Sequence, residues 1–210
     1  MPSDSLTQVL RHKIIPVVAI QDAADALSLA DALIQGGLPC AEITFRTAAA
    51  PEAIKAIAQR DDMLVGAGTV LSVDQVKQAM DAGATFIVSP GFNPKVVAYC
   101  VENHIAITPG VSNPTDIEMG LEFGLEVLKF FPAEAFGGLK TLKAMSAPYT
   151  MMQFIPTGGI GPDNVLQYLK HPKVPACGGS WMVKSDLIAE GQFERITELT
   201  REAVSIAAQV

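Results

Sequence analysis

The sequence predicts an α/β fold, a (β/α)₈ TIM barrel with a short extra N-terminal helix, on three observations. Short apolar, β-branched runs alternate with longer amphipathic stretches along all 210 residues. The runs are near-continuous rather than alternating, the pattern of a parallel sheet covered by helices. Their ends fall at Ala19, Ile43, Ala67, Ser89, Pro109, Phe130, Thr157 and Gly178, a recurrence every 20 to 27 residues. That comb is what a repeated strand–loop–helix–loop unit needs, and eight units close a barrel. An open doubly-wound sheet is the alternative, but the units are uniform and no run marks a switch point. No linker or low-complexity segment interrupts them, so residues 1–210 read as a single barrel domain.

In chain order, Ser5–His12 is the extra helix and Ile14–Ile20 the first strand. Asp22 is placed to cap a helix that Gly36 and Gly37 stop. Cys40–Phe45 is the second strand, followed by a helix from about Pro51 to Gln59. Met63–Val65 runs into Gly66-Ala67-Gly68, and Ser72 or Asp74 caps Val76–Ala82. Ala84–Val88 and Ile105–Thr108 are strands four and five, each followed by a proline-led helix, Pro94–Asn103 and Pro114–Phe123. Leu125–Phe131, Met152–Pro156 and Val174–Cys177 complete the eight strands. Helices are expected near Gly138–Met145, over Pro162–Leu169 and, closing the chain, over Phe193–Ala208.

Hydrophobic residues make up 49% and charged residues 18%, the reverse of a disordered chain. A formal net charge of −7 argues against a broad nucleic-acid surface, while an anionic ligand would need a local positive site. Cys40, Cys100 and Cys177 form neither a CxxC pair nor an even disulfide set, and a reducing compartment is the simple reading. Residues 1–13 lack the apolar core of a signal peptide, and no run of membrane-spanning length occurs. The expectation is a soluble, cytoplasmic protein. His12, His104 and His171 are too dispersed for a metal motif, and no dinucleotide or P-loop fingerprint is present.

Barrel chemistry sits at the C-terminal ends of the strands. Strand two offers Glu42, Thr44 and Arg46 on one face by its period of two. Strand six carries Lys129 amid Val127, Leu128, Phe130 and Phe131. Desolvation there disfavours an ammonium and favours the neutral amine that attacks a carbonyl carbon. Snorkelling to solvent, or pairing with a carboxylate, explains such a lysine equally well. Glu42 fits general acid–base work, or service as a buried partner for Arg46 or Lys129. The pairs Gly158-Gly159 and Gly178-Gly179 follow strands seven and eight, where these barrels often bind phosphate through backbone N–H groups.

The segments AEITFRT (41–47), VGAGTV (65–70), SPG (89–91), PGVSNPTD (109–116), LKFFPAE (128–134), PTGGI (156–160) and GGSW (178–181) carry a family resemblance. In this order they resemble the 2-keto-3-deoxy-6-phosphogluconate (KDPG) aldolase / 4-hydroxy-2-oxoglutarate (KHG) aldolase family. LKFFPAE and PTGGI together are highly specific, whereas GAGTV is shared with other barrels. The resemblance implies a metal-independent, cofactor-free class I aldolase, a homotrimer. It implies that Lys129 forms the Schiff base, that Glu42 moves protons, and that Arg46 and Thr69 bind the pyruvate carboxylate. Pro90, Phe131 and Thr157 would line the pyruvyl pocket, and Gly158, Gly159, Gly179 and Ser180 would hold the phosphate. One departure stands out: where some relatives carry an arginine near the end of strand one, this chain has Ala19, leaving phosphate to backbone donors and Lys184. Two other classes stay open on the residues, a phosphate-binding barrel isomerase, which needs no Lys129, and an inactive barrel that scaffolds or binds a ligand.

Overall fold

Strand β1 (Ile14–Val18) is the hub of the sheet in the computed structural model, which describes residues 4–210. It pairs in parallel with β2 (Cys40–Thr44) on one side and β9 (Cys177–Gly179) on the other. Pairing continues through β3 (Leu64–Gly68) and β4 (Ile87–Val88) to β5 (Ile107–Thr108). A second set joins β6 (Gly110–Val111), β7 (Val127–Phe130) and β8 (Gln153–Pro156). Only Pro109 separates β5 from β6, so these two occupy one position in the ring. Proline has no N–H to give the ladder, which accounts for the break; its carbonyl still accepts from the Lys129 N–H at 3.0 Å. A parallel bridge between Thr157 and Gly178 links β8 to β9 and closes the circle. The result is the eight-position parallel barrel that the comb of strand ends predicts.

Helices cover the outside, and their starts obey local capping chemistry. The Ser72 hydroxyl accepts from the Gln75 N–H and opens the helix Val73–Asp81. Asn93 and Asn113 cap Pro94–Glu102 and Pro114–Glu122, each with proline in the first turn. Asp22 caps a short 3₁₀ turn, Ala23–Asp25, and the α-helix begins only at Ala26. The seventh strand's helix is shorter than its pattern suggests, Val165–Leu169. The sequence reading also missed a five-residue helix, Ser185–Ala189, too short to show a period.

Two cores result. The outer one lies between strands and helices and contains Leu33, Ile43, Ile54, Phe130 and Phe154. The inner one fills the barrel with Ile15, Cys40, Phe86, Val88, Val127 and Ile155. Leu6 and Val9 of the N-terminal helix Asp4–Arg11 join this inner set and plug the barrel's lower end. Phe86 spans the interior because β3 offers Gly66 opposite it; a Cβ there would lie 2.3 Å from the ring. The inner set also fixes which polar residues face inward. Glu42 is two residues past Cys40, and Lys129 is two past Val127, so both project into the upper barrel.

Candidate active site

Closure of the ring brings β2 and β7 face to face. Lys129 Nζ lies 3.4 Å from Glu42 Oε1, with both side chains less than a tenth exposed. The ammonium position is 5.2 Å from the centroid of the Phe131 ring. Glu42 fits because β3 ends in glycine: a Cβ on Gly68 would stand 2.2 Å from Glu42 Oε1. Burying a lysine and a glutamate together costs more desolvation than an apolar pair of the same volume, so the pair is weak evidence of a stability device. It suits a site where one proton passes between an amine and a carboxyl.

Arg46 follows β2 and is aimed by its neighbour. Thr44 donates its hydroxyl to the Val18 carbonyl at 2.7 Å and accepts from Arg46 Nε at 3.0 Å. The two terminal guanidinium nitrogens have no partner among the described residues, which leaves a planar fork for an anion. Arg46 borders a cavity of about 150 Å³ with Val17, Phe131, Thr157 and the glycines of the loops after β8 and β9. It also borders an adjoining space of about 360 Å³ with Ala19, Ser180, Lys184 and Asp186. An anion entering this otherwise acidic protein meets Arg46 and Lys184 here, with Asp186 beside them.

The structure therefore brings Lys129, Glu42 and Phe131 into one cluster, and Arg46, Phe131, Thr157, Gly158, Gly159, Gly179 and Ser180 into one cavity wall. Thr69 and Pro90 line neither cavity, yet both adjoin the cluster. Thr69 follows Gly68 directly and has a left-handed φ of 56°, a strained conformation for a β-branched residue. The Pro90 carbonyl abuts Gly110, the residue paired with Lys129. Among the described residues, no three His, Cys, Asp or Glu side chains are grouped to hold a metal ion. No helix among them is long and apolar enough to cross a membrane. The three cysteines are buried free thiols, and burial pushes those of Cys40 and Cys100 up to about 12.

Sequence reasoning overlooked Val17, which lines both cavities, and Thr108. Thr108 pairs with Val88, is 1% exposed, and its hydroxyl has no hydrogen-bond partner among the described residues. An unmet buried hydroxyl costs about 1–3 kcal/mol. Thr108→Val keeps the branched shape and removes the hydroxyl, so thermal unfolding should move up, by about 1 kcal/mol of stability. A lower melting temperature for the valine variant would show that the hydroxyl is satisfied in solution.

The family model for KDPG and KHG aldolases matches residues 6–199. The chain belongs to that family. A 2-dehydro-3-deoxy-phosphogluconate aldolase of Treponema pallidum is 52% identical over 197 residues, covering 93% of this chain and 94% of its own. One from Haemophilus influenzae is 50% identical over 195 residues, covering 92% of each. Among solved structures, the KDPG aldolase of Legionella pneumophila is 38% identical and superposes with a TM-score of 0.91, covering 96% of this chain and 98% of that one. That protein was captured with pyruvate as a covalent carbinolamine intermediate. Family membership agrees with the motifs from AEITFRT to GGSW, which now lie around the mouth of one barrel. In this member of the family, Glu42 of AEITFRT and Lys129 of LKFFPAE form the buried pair described above.

Proposed function

We propose that this chain is a class I aldolase that cleaves KDPG to pyruvate and glyceraldehyde 3-phosphate, and KHG to pyruvate and glyoxylate. The observation that carries the reading is the buried amine–carboxyl pair, Lys129 and Glu42 at 3.4 Å, beside an arginine with a free fork. Neutral Lys129 attacks the C2 ketone of the substrate to give a carbinolamine. Glu42 donates the proton with which the C2 oxygen leaves as water, and the protonated imine forms. Arg46 and Thr69 hold the carboxylate at C1, while Pro90, Phe131 and Thr157 wall the pyruvyl unit. Glu42 then takes the C4 hydroxyl proton, the C3–C4 bond breaks, and its electrons flow into the iminium. The aldehyde departs, the enamine is protonated at C3, and water releases pyruvate from Lys129. The iminium serves as the electron sink, so the step asks for no Lewis acid.

The reading includes one barrel domain working as a homotrimer in the cytoplasm, and sedimentation of the purified protein as a monomer would remove the trimer from it. The deciding experiment is borohydride reduction of the protein with pyruvate, followed by mass spectrometry of the intact chain. One reduced pyruvyl group per chain is expected; an unmodified chain would overturn the proposal.

The phosphate end of KDPG falls to Gly158, Gly159, Gly179 and Ser180, whose backbone donors line the smaller cavity. Gly158 and Gly159 have φ values of +98° and +77°, which L side chains rarely adopt. Gly159→Leu should therefore raise KM for KDPG by at least about tenfold, the size of one lost hydrogen bond to a charged group. KHG has no phosphate, and its cleavage should suffer much less. Equal losses on both substrates, in a variant that keeps its circular dichroism, would move the phosphate elsewhere.

A further inference from the structure

The loop carrying Gly158 and Gly159 is held from behind by the segment that follows Lys129's strand. The Ala133 N–H donates to the Thr157 carbonyl at 2.8 Å, and the Glu134 N–H to the Gly158 carbonyl at 3.1 Å. The Glu134 side chain then packs under Gly159, where an added Cβ would stand 2.6 Å from Glu134 Cβ. Glu134 Oε1 accepts a hydrogen bond from the Tyr168 hydroxyl. Tyr168 belongs to the short helix Val165–Leu169 and is 1% exposed, so its ring is fixed by the outer core. Burial, then Glu134, pushes the phenol up, which keeps it an O–H donor across the working range. Asn164, just before that helix, adds a second tie by donating to the Gly159 carbonyl at 3.0 Å and accepting from the Gly161 N–H at 2.9 Å.

This arrangement needs an explanation, because Glu134 is a solvent-exposed carboxyl group beside the loop to which the phosphate is assigned above. A carboxylate left to swing there would repel the ligand. We propose that the Tyr168–Glu134 pair is a positioning brace that fixes the Gly158-Gly159 loop and its N–H groups for a phosphate-bearing substrate, and so sets the preference for phosphorylated over unphosphorylated 2-keto acids. The brace touches neither Lys129 nor Glu42, so it acts on binding of the distal end and not on the bond-breaking step. This rests on the reading above that the loop takes the substrate's phosphate.

Tyr168→Phe removes one hydroxyl and keeps the buried ring, and Glu134→Ala removes the other half of the pair. Each should raise KM for KDPG about tenfold, as expected for one hydrogen bond to a charged group, with kcat within about twofold. KM for KHG should stay within about twofold, since that substrate has no phosphate for the loop to hold. Glu134→Gln retains an acceptor oxygen for Tyr168 and should hold KM for KDPG within about threefold of the wild type, the rescue expected of a brace and not of a charge effect. Tyr168→Phe with unchanged KM for KDPG, or with equal rises for both substrates, would overturn the brace. Inorganic phosphate as a competitor of KDPG separates the two layers. If it inhibits the wild type while Tyr168→Phe behaves as wild type, the brace alone fails. If it does not compete at all, the phosphate loop fails and takes the brace with it.

Discussion

Lys129→Ala is expected to abolish both turnover and the borohydride-trapped pyruvate adduct. Loss of a covalent nucleophile removes the whole reaction path rather than one contact, and the fall in kcat should be of order 10⁴–10⁶-fold. Structural damage must be separated from lost chemistry. Lys129 is buried against Glu42, and its removal leaves that carboxylate without its partner, a change that costs several kcal/mol where the charge persists. Lys129→Arg answers this. Its guanidinium still carries a positive charge to Glu42, yet it cannot form an imine under these conditions. The expected pattern is an arginine variant that unfolds near the wild-type temperature and shows no adduct and no turnover. An adduct that survives in either variant, mapped by peptide mass spectrometry to another lysine, would remove Lys129 from the role. Lys184 is the one to watch, because it borders the adjoining cavity with Arg46.

Much of this site is legible in the sequence because charge is conspicuous inside a buried strand. Glu42 in CAEIT and Lys129 in VLKF interrupt runs that are otherwise apolar, and the structure finds every residue of both strands buried. Their meeting is not legible, since it depends on closing a ring whose strands lie 87 residues apart in the chain. Strand ends are overrun for a related reason. Ile20 and Ala84 are apolar and buried, yet neither belongs to the ladder, which stops at Val18 and starts at Ile87. Apolarity reports burial in either core, not hydrogen bonding between strands. The break at Pro109 falls where a proline is visible, but that the strand resumes at Gly110 is decided by its pairing with Lys129. Thr108 reads as an ordinary β-branched strand residue, and only packing shows its hydroxyl stranded. Tyr168 reads as helix core, and nothing in its neighbourhood points to Glu134, 34 residues earlier.

Glu42→Gln should lower kcat by about 10²–10⁴-fold, the usual contribution of a general acid–base group. The substitution keeps the shape that Gly68 makes room for, and an amide oxygen can still accept a hydrogen bond from Lys129. What it removes is the ability to take a proton and return it, which the proposed cycle uses at dehydration of the carbinolamine and again at the C4 hydroxyl. Both steps should slow, whereas the carboxylate binding proposed for Arg46 and Thr69 lies outside the change. The pyruvate adduct should therefore still form on Lys129, but over minutes or longer where the wild type forms it quickly, and pyruvate should inhibit at a similar concentration. This contrast sets Glu42 apart from Lys129, whose loss removes the adduct altogether. The measurement pairs kcat from pyruvate release with the time course of borohydride trapping. A glutamine variant with kcat within about threefold of wild type would fall far short of the general acid–base contribution and would assign the proton transfers to another group. A variant that forms no adduct at any time would instead make Glu42 part of building the nucleophile's site. The first result fits a water held near Lys129 as the proton carrier, and the second fits Glu42 as the group that aims Nζ at the ketone.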